Sequence, residues 1–474
     1  MTKTLNVDIC VIGAGSGGLS VAAGASQMGA ETVLIEKHKM GGDCLNYGCV
    51  PSKALLAAGH AAEAVRGAGA FGIETASPGF RGADVFGHVH KVISAIEPLD
   101  SVERFEGLGV NVLQTEGRFT GPKEVEAGDT RIRARRFVVA TGSAAFVPPI
   151  PGLKDVPFMT NETVFEQKDI PESLIVIGGG PIGIELAQAH RHLGADVTVL
   201  EMFSIMPKDD AELVDVVRSQ IIADGIDLRE GAKILRIEKV GDGVRVVLET
   251  ESGEERVDAS HLLVATGRRP NVNGLNLEAA GIAYSDKGIE VDARLRTTNR
   301  KVFAIGDVAG GLQFTHVAGY HAGVVIKNAL FRLPAKADLR SVPWVTYTTP
   351  ELAQVGLTEA EASKQGIGFL LLRWPYHEND RAQAEGKTDG MVKAIVTPKG
   401  HILGCGIVGA QAGELIQTWV LAMSQKIKVG AVAQMIAPYP TLGEVSKRAA
   451  GSFYTPSLFS ERTRKIVKFL AKFG

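Results

Sequence analysis

Cys44 and Cys49 stand five positions apart in Gly41-Gly42-Asp43-Cys44-Leu45-Asn46-Tyr47-Gly48-Cys49-Val50-Pro51-Ser52-Lys53, in a chain with only four cysteines. The residues between them let the backbone turn so that two sulfurs come within bonding distance. Cys49 stands where a helix should begin, since Pro51 suits a first turn and the run from Ala54 to Arg66 is rich in Ala and Leu. A helix N-terminus carries partial positive charge and favours thiolate over thiol. The pair therefore reads as a redox-active dithiol. Cys10, in an apolar run, and Cys405, in a Gly-rich strand-like segment, read as inert core thiols.

The elements around the pair come from a repeat. Gly13-x-Gly15-x-x-Gly18 follows the apolar run Ile9–Ile12, opens an Ala/Ser-rich helix, and leads to Glu36 at the end of Thr32-Val33-Leu34-Ile35. Each landmark recurs 165 positions later: Gly13, Gly15 and Gly18 as Gly178, Gly180 and Gly183, and Glu36 as Glu201. One such loop is weak evidence; two in register, each with strand before, helix after and acid beyond, predict two dinucleotide sites. Glycines let the backbone approach a pyrophosphate at a helix N-terminus, and the acid accepts hydrogen bonds from a ribose. The cysteine pair trails the first site, which assigns flavin there and nicotinamide to the second. Glu201 repels a ribose 2′-phosphate and Met202–Pro207 supplies no arginine, so NADH is expected over NADPH, with Lys208 the one nearby cation.

GGDCLNYGCVPSK resembles the active-site segment of the class I pyridine nucleotide-disulfide oxidoreductases, which include dihydrolipoamide dehydrogenase, glutathione reductase and mercuric reductase. The likeness extends over nearly the whole chain. Ala140-Thr141-Gly142-Ser143 and Ala265-Thr266-Gly267-Arg268-Arg269-Pro270-Asn271 resemble the family's chain crossings between flavin and nicotinamide domains, and Val302–Asp307 its second flavin-binding segment. Tyr347–Glu359 resembles the opening of its dimerisation domain. The implied fold is α/β: two Rossmann-like domains, FAD-binding (1–150 and 274–343) and NAD(P)-binding (151–273), followed by a C-terminal α+β dimerisation domain (344–474).

The resemblance also implies roles. FAD would be held by Gly13, Gly15, Gly18, Glu36, Lys37, Gly42, Lys53, Thr141, Gly142 and Asp307, with His316 on the flavin side; NAD would be held by Gly178, Gly180, Gly183, Glu201 and Gly267. Electrons would pass from NADH through FAD to Cys49, the flavin-proximal sulfur, leaving Cys44 as the interchange thiol that attacks the acceptor. Lys53, one helical turn beyond Cys49, would pair with Glu185 just after the second glycine loop. In the family's disulfide reductases a His-Pro-Thr-x-x-Glu run from the partner subunit supplies the acid-base group. Here Tyr439 replaces that histidine, within Pro438-Tyr439-Pro440-Thr441-Leu442-Gly443-Glu444, while Glu444 remains. A phenol with an ordinary pKa near ~10 is a poor general base at neutral pH.

That tyrosine also resembles mercuric reductase, although the latter's C-terminal cysteine pair and leading metal-capturing domain have no counterpart in this sequence. Asp43 beside Cys44 is a further departure, since a carboxylate there raises a thiol pKa. Three readings follow: an NADH-dependent disulfide or dithiol reductase like dihydrolipoamide dehydrogenase; a reductase of a soft metal ion, quinone or other acceptor; or a non-catalytic structural flavoprotein, which the intact pair with Lys53 and Glu185 disfavours. His377 is weighed as a substitute base and is more simply a solvated loop histidine. No resident metal is expected.

A chain of 474 residues with 45% hydrophobic and 22% charged residues implies several ordinary globular domains. A net charge of −2 gives no support to nucleic-acid binding, and no apolar run matches a membrane span. The opening residues lead straight into strand-like Val7–Ile12, and with few cysteines this predicts a cytoplasmic protein. The resemblance implies a homodimer. Glu461–Phe473 reads as a basic amphipathic helix with Ile466, Phe469, Leu470 and Phe473 on one face and Lys465, Lys468 and Lys472 on the other. Packing on its own domain or dimer is expected, ahead of docking on an anionic membrane surface.

Overall fold

Strand β1 (Lys3–Ile12) is polar at its start and apolar over its last four residues, and only those four are fully buried. The computed structural model describes residues 3–473. After β1 come helix α1 (Ser16–Gln27), strand β2 (Thr32–Glu36), the single turn of helix α2 (Gly42–Asn46) and the long helix α3 (Cys49–Gly67). Strands β3 (Val110–Gln114), β4 (Gly117–Gly121), β5 (Glu124–Ala127) and β6 (Thr130–Val139) follow. The parallel order is β3-β2-β1-β6, and the runs Val33–Ile35 and Phe137–Val139 are apolar without alternation, as strands covered on both faces require.

The repeat seen in the sequence is a repeat in space. After the short strand β7 (Ser143–Ala145), β8 (Ser173–Ile177), α4 (Pro181–His192) and β9 (Asp196–Glu201) retrace β1, α1 and β2. Strand β10 (His261–Val264) pairs in parallel with β8, as β6 does with β1. Strand β11 (Arg268–Pro270) runs antiparallel to β7, so the two Ala-Thr-Gly segments are stitched together as a ribbon. Strand β12 (Val302–Ala304) returns to pair with the end of β6, and α5 (Thr315–Ala329) shares a core with α1.

By compactness the chain divides into Met1–Met202 with Ala232–Asp338, and Phe203–Gly231 with Leu339–Gly474. The second unit is built on a five-stranded antiparallel sheet in the order Pro343–Thr346, Glu351–Gly356, Ile402–Gly409, Met391–Val396, Leu370–Pro375, over a core that includes Trp419, Tyr376 and Val445. Residues 203–231, which sequence placed in the nicotinamide range, group here for a visible reason. Asp210 caps the helix Ala211–Ala223 and, with Glu212 and Glu359, surrounds the Lys393 ammonium at 2.9, 2.7 and 2.7 Å. Lys393 is only 4% exposed, and its three donors meet three carboxylates.

The tail forms the expected amphipathic helix, Glu461–Leu470, capped by the Ser460 hydroxyl. The expected packing on its own domain is not found: no residue of this helix is buried, and Ile466, Phe469, Leu470 and Phe473 stay open to solvent. Among the described residues no helix is long and apolar enough to cross a membrane.

Replacing Lys393 with Met should leave the buried Asp210 carboxylate without its cation and Glu212 and Glu359 with Arg373 alone. We expect this to destabilise the second unit by about 3–5 kcal/mol, seen as a lower urea midpoint at neutral pH. An unchanged midpoint would show that the network contributes nothing.

Candidate active site

Both glycine loops are closed by contacts only glycine permits. A Cβ on Gly18 would lie 1.8 Å from the Gly13 carbonyl oxygen, and one on Gly183 would lie 2.0 Å from that of Gly178. Gly13 and Gly178 adopt φ of +106° and +115°. The middle glycines, Gly15 and Gly180, face open space, where a pyrophosphate can reach the N-termini of α1 and α4. The acids complete the parallel: the Ala14 amide donates to Glu36 at 2.6 Å, and the Gly179 amide donates to Glu201 at 2.6 Å. Two copies of one cradle, each with a carboxylate at the second strand's end, fit FAD and a nicotinamide dinucleotide.

The dithiol segment is fastened to the first cradle by another glycine contact. Gly42 sits at φ +59°, and a Cβ there would come 2.7 Å from the Gly15 Cα. The turn α2 thus lies against the loop and carries Cys44 with it. Cys49 is the first residue of α3, as its sequence context predicts. Its Sγ lies 3.4 Å from the Thr315 hydroxyl, and Thr315 is the first residue of α5. Two helix N-termini therefore converge on this sulfur.

Both cysteines are free thiols, hydrogen-bonded to each other. The hydrogen bond from Cys44 lowers the Cys49 pKa to about 6, with Thr315 and the Lys53 charge adding to it against desolvation and the Asp43 charge. The same bond pushes the Cys44 thiol well up, and desolvation and the neighbouring thiolate push it further. At neutral pH the arrangement is a Cys49 thiolate with a protonated Cys44 beside it. Cys10 and Cys405 are fully buried and their pKa values are raised by that burial, which suits inert core thiols.

Lys53 reaches across from α3 to α4, where its ammonium meets the nearly buried Glu185 carboxylate at 2.7 Å. Asp307 accepts from the Ser143 hydroxyl at 2.6 Å, and burial raises its pKa against that bond. Thr141 and Asn271 exchange side-chain hydrogen bonds between the two crossings, while Gly142 and Gly267 take positive φ at their turns. His316 stacks on Phe314 at 5.3 Å, and Lys37 sits at the surface near Glu116.

In the second unit Tyr439 is 70% exposed, and its hydroxyl donates to Asp380 at 2.9 Å. That bond and the Asp380 charge raise the phenol's pKa, so it is a weaker acid than an ordinary tyrosine and even less of it is phenolate at neutral pH. Glu444 begins the helix Glu444–Ser452, and His377 lies in a short turn, Tyr376–Glu378. Sequence reasoning did not assign Thr315, Ser143, Arg268, Asn161 or Asp380. Ser143 and Arg268 lay inside motifs already noticed for their glycines; the others are brought in only by tertiary folding.

Comparison with known proteins agrees with this geometry. Residues 7–322 match the model of the pyridine nucleotide-disulphide oxidoreductases, and residues 342–450 match that of their dimerisation domain. The chain is 35% identical to a mercuric reductase of Lysinibacillus sphaericus, over 94% of this chain and 83% of that protein. It is 37% identical to a dihydrolipoyl dehydrogenase of Thermus scotoductus, over 95% and 98%. Among solved structures it is similar to LpdA from Mycobacterium tuberculosis (TM-score 0.86, 26% identity, covering 94% and 99% of the two chains). It is also similar to the copper(II) complex of the HOCl-induced flavoprotein disulfide reductase RclA from Escherichia coli (TM-score 0.84, 27% identity, covering 93% and 98%). With both cradles, the dithiol and the matched models spanning it nearly end to end, the chain belongs to the pyridine nucleotide-disulphide oxidoreductase family and is an FAD-dependent oxidoreductase acting through a redox-active disulfide.

Proposed function

We propose that the protein takes electrons from NADH, in preference to NADPH, and passes them through the Cys44–Cys49 pair to a disulfide or dithiol substrate, as dihydrolipoyl dehydrogenase does. The observation that carries this reading is the ionisation split of the pair, a thiolate at two helix N-termini with a thiol beside it. Bound FAD would supply two-electron transfer between nicotinamide and disulfide. Gly13, Gly15, Gly18, Glu36, Lys37, Gly42, Lys53, Thr141, Gly142, Asp307 and His316 would hold it; Gly178, Gly180, Gly183, Glu201 and Gly267 would hold NADH. The domain limits proposed are 1–150 with 274–343, 151–273, and 344–474.

Within the reduced pair, Cys49 accepts the Cys44 proton, and the Cys44 thiolate attacks the substrate disulfide. One substrate sulfur leaves with that proton, and the other stays bonded to Cys44. The Cys49 thiolate then attacks Cys44 Sγ, releases the second substrate sulfur and restores the intramolecular disulfide. The hydride of NADH and one solvent proton balance the two thiols formed. A thiol ionising near 6 does part of what a histidine would do, because its pKa lies close to working pH. Tyr439 and Glu444 of the partner subunit would border the substrate without supplying a base.

The second reading, a reductase of a soft metal ion or another acceptor, is favoured by one observation: Tyr439 is engaged with Asp380, and such an acceptor has no organic thiolate to protonate. A cytoplasmic location fits a working dithiol. The dimerisation-domain match supports a homodimer. We propose that the exposed tail helix, which follows that matched region in the chain, packs on the second protomer rather than on a membrane.

Anaerobic NADH titration should produce long-wavelength thiolate-to-flavin absorbance at two electrons, with a higher kcat/KM for NADH than for NADPH. Cys49→Ser should abolish both the band and acceptor turnover; turnover that survives the substitution overturns the proposal. In a screen of lipoamide, glutathione disulfide, Hg²⁺ and a quinone, Tyr439→His should raise lipoamide turnover by about tenfold or more. No gain would show that the imidazole is not what limits disulfide exchange. Deleting residues 461–474 should weaken dimerisation in sedimentation while binding of anionic vesicles stays at background for both proteins. A tail-dependent vesicle signal would assign the helix to membranes instead.

A further inference from the structure

Asp43 stands next to the interchange cysteine, yet its carboxylate is turned toward the flavin-side crossings. The Arg268 guanidinium lies 3.0 Å from it, and the Asn161 amide donates to it at 3.2 Å and to the Tyr47 carbonyl at 3.3 Å. Arg268 is only 12% exposed and has further partners: it donates to the Ser143 hydroxyl and to the Ser143 carbonyl, both at 2.8 Å. The Ser143 hydroxyl in turn donates to Asp307, 3.9 Å from the guanidinium. One chain of hydrogen bonds thus runs from the dithiol turn to the second flavin-binding segment. Gly48, the residue before Cys49, is part of the fit, since a Cβ there would come 2.8 Å from an Asp43 carboxylate oxygen.

We infer that Asp43 is a positioning residue that ties the Cys44 turn to Arg268 and cancels the guanidinium charge beside the dithiol. The inference rests on the reading of Cys44 and Cys49 as the working redox pair. Near that pair the charged groups are Lys53 with Glu185 from α3 and α4, Arg268 from β11, Asp307 before α5, and Asp43 itself; Thr315 adds a neutral hydroxyl. Lys53 is answered by Glu185, and Arg268 by Asp43 and, at longer range, Asp307. Removing the Asp43 charge tips this balance positive. Thiolate is then favoured at both sulfurs, in keeping with the direction in which Asp43 acts on each of them. A more stable thiolate stabilises the reduced pair, so the Cys44–Cys49 disulfide becomes the stronger oxidant.

Asp43→Asn keeps the shape and an acceptor for Asn161 and Arg268 while losing the charge, which separates charge from geometry. In the FAD-loaded protein reduced by two electrons, the pH midpoint of the thiolate-to-flavin absorbance should fall by about one pH unit, and the dithiol potential should rise. The double variant Asp43→Asn/Arg268→Gln should return toward the parent midpoint, and Arg268→Gln alone should move it upward. An Asp43→Asn midpoint equal to the parent's, or a double variant shifted further in the same direction, overturns the inference. Iodoacetamide alkylation rates against pH give the same midpoints without turnover. A parent protein with no such absorbance at any pH would instead refute the redox-pair reading.

Discussion

The contact between Gly42 and Gly15 is the constraint on which the site depends. The Gly42 backbone approaches Gly15 so closely that Gly42 has no room for a side chain, and the approach fixes α2 against the mouth of the first dinucleotide loop. The distance from phosphate cradle to dithiol is therefore set by main chain rather than by rotamers. Cys49 then begins α3 and inherits that helix's N-terminal field without a capping side chain. Thr315 at the start of α5 adds a second field from a helix packed through the core onto α1, the helix of the same glycine loop. Cradle and sulfur are referenced to a common frame.

The second cradle shows what the repeat provides and what it lacks. Gly178 and Gly183 reproduce the close contacts of Gly13 and Gly18, and Glu201 reproduces the Glu36 hydrogen bond at the same length. Where the first copy continues into the cysteine turn, the second copy continues into Met202 and a different course. The link back to the dithiol is instead made from within α4, through Glu185 and Lys53. One fold unit thus serves as the platform for the sulfurs, and the other reaches them with a single buried carboxylate.

Much of this was legible in the sequence because close backbone approach leaves a signature, glycine at fixed spacing, that needs no knowledge of the fold. The helix start at Cys49 and the Lys53–Glu185 pairing were legible for similar reasons, one local and one from a family pattern. Thr315 and Asn161 were not, since each lies more than a hundred residues from its partner and its residue type carries no signal alone. Arg268 was printed inside a recognised motif, but only the fold turns it toward Asp43. The tail helix was read correctly as amphipathic; its solvent exposure was not foreseen, because periodicity reports that an apolar face exists and not what covers it.

The proton inventory connects these pieces to the choice of acceptor. An organic disulfide needs a proton delivered to the departing sulfur, and the candidate groups differ sharply in their fitness for that task. Tyr439, bonded to Asp380, holds its proton more tightly than a free phenol, and Cys44 holds its own more tightly than a free thiol. Cys49 ionises at about 6, close to working pH, which suits it to the proposed proton transfer. In the proposed cycle that sulfur would serve both electron and proton transfer, which would tie the rate of disulfide exchange to its charge environment. The Asp43–Arg268 ion pair is part of that charge environment, so under the proposed chemistry it would act on disulfide exchange alongside the replacement of histidine by Tyr439.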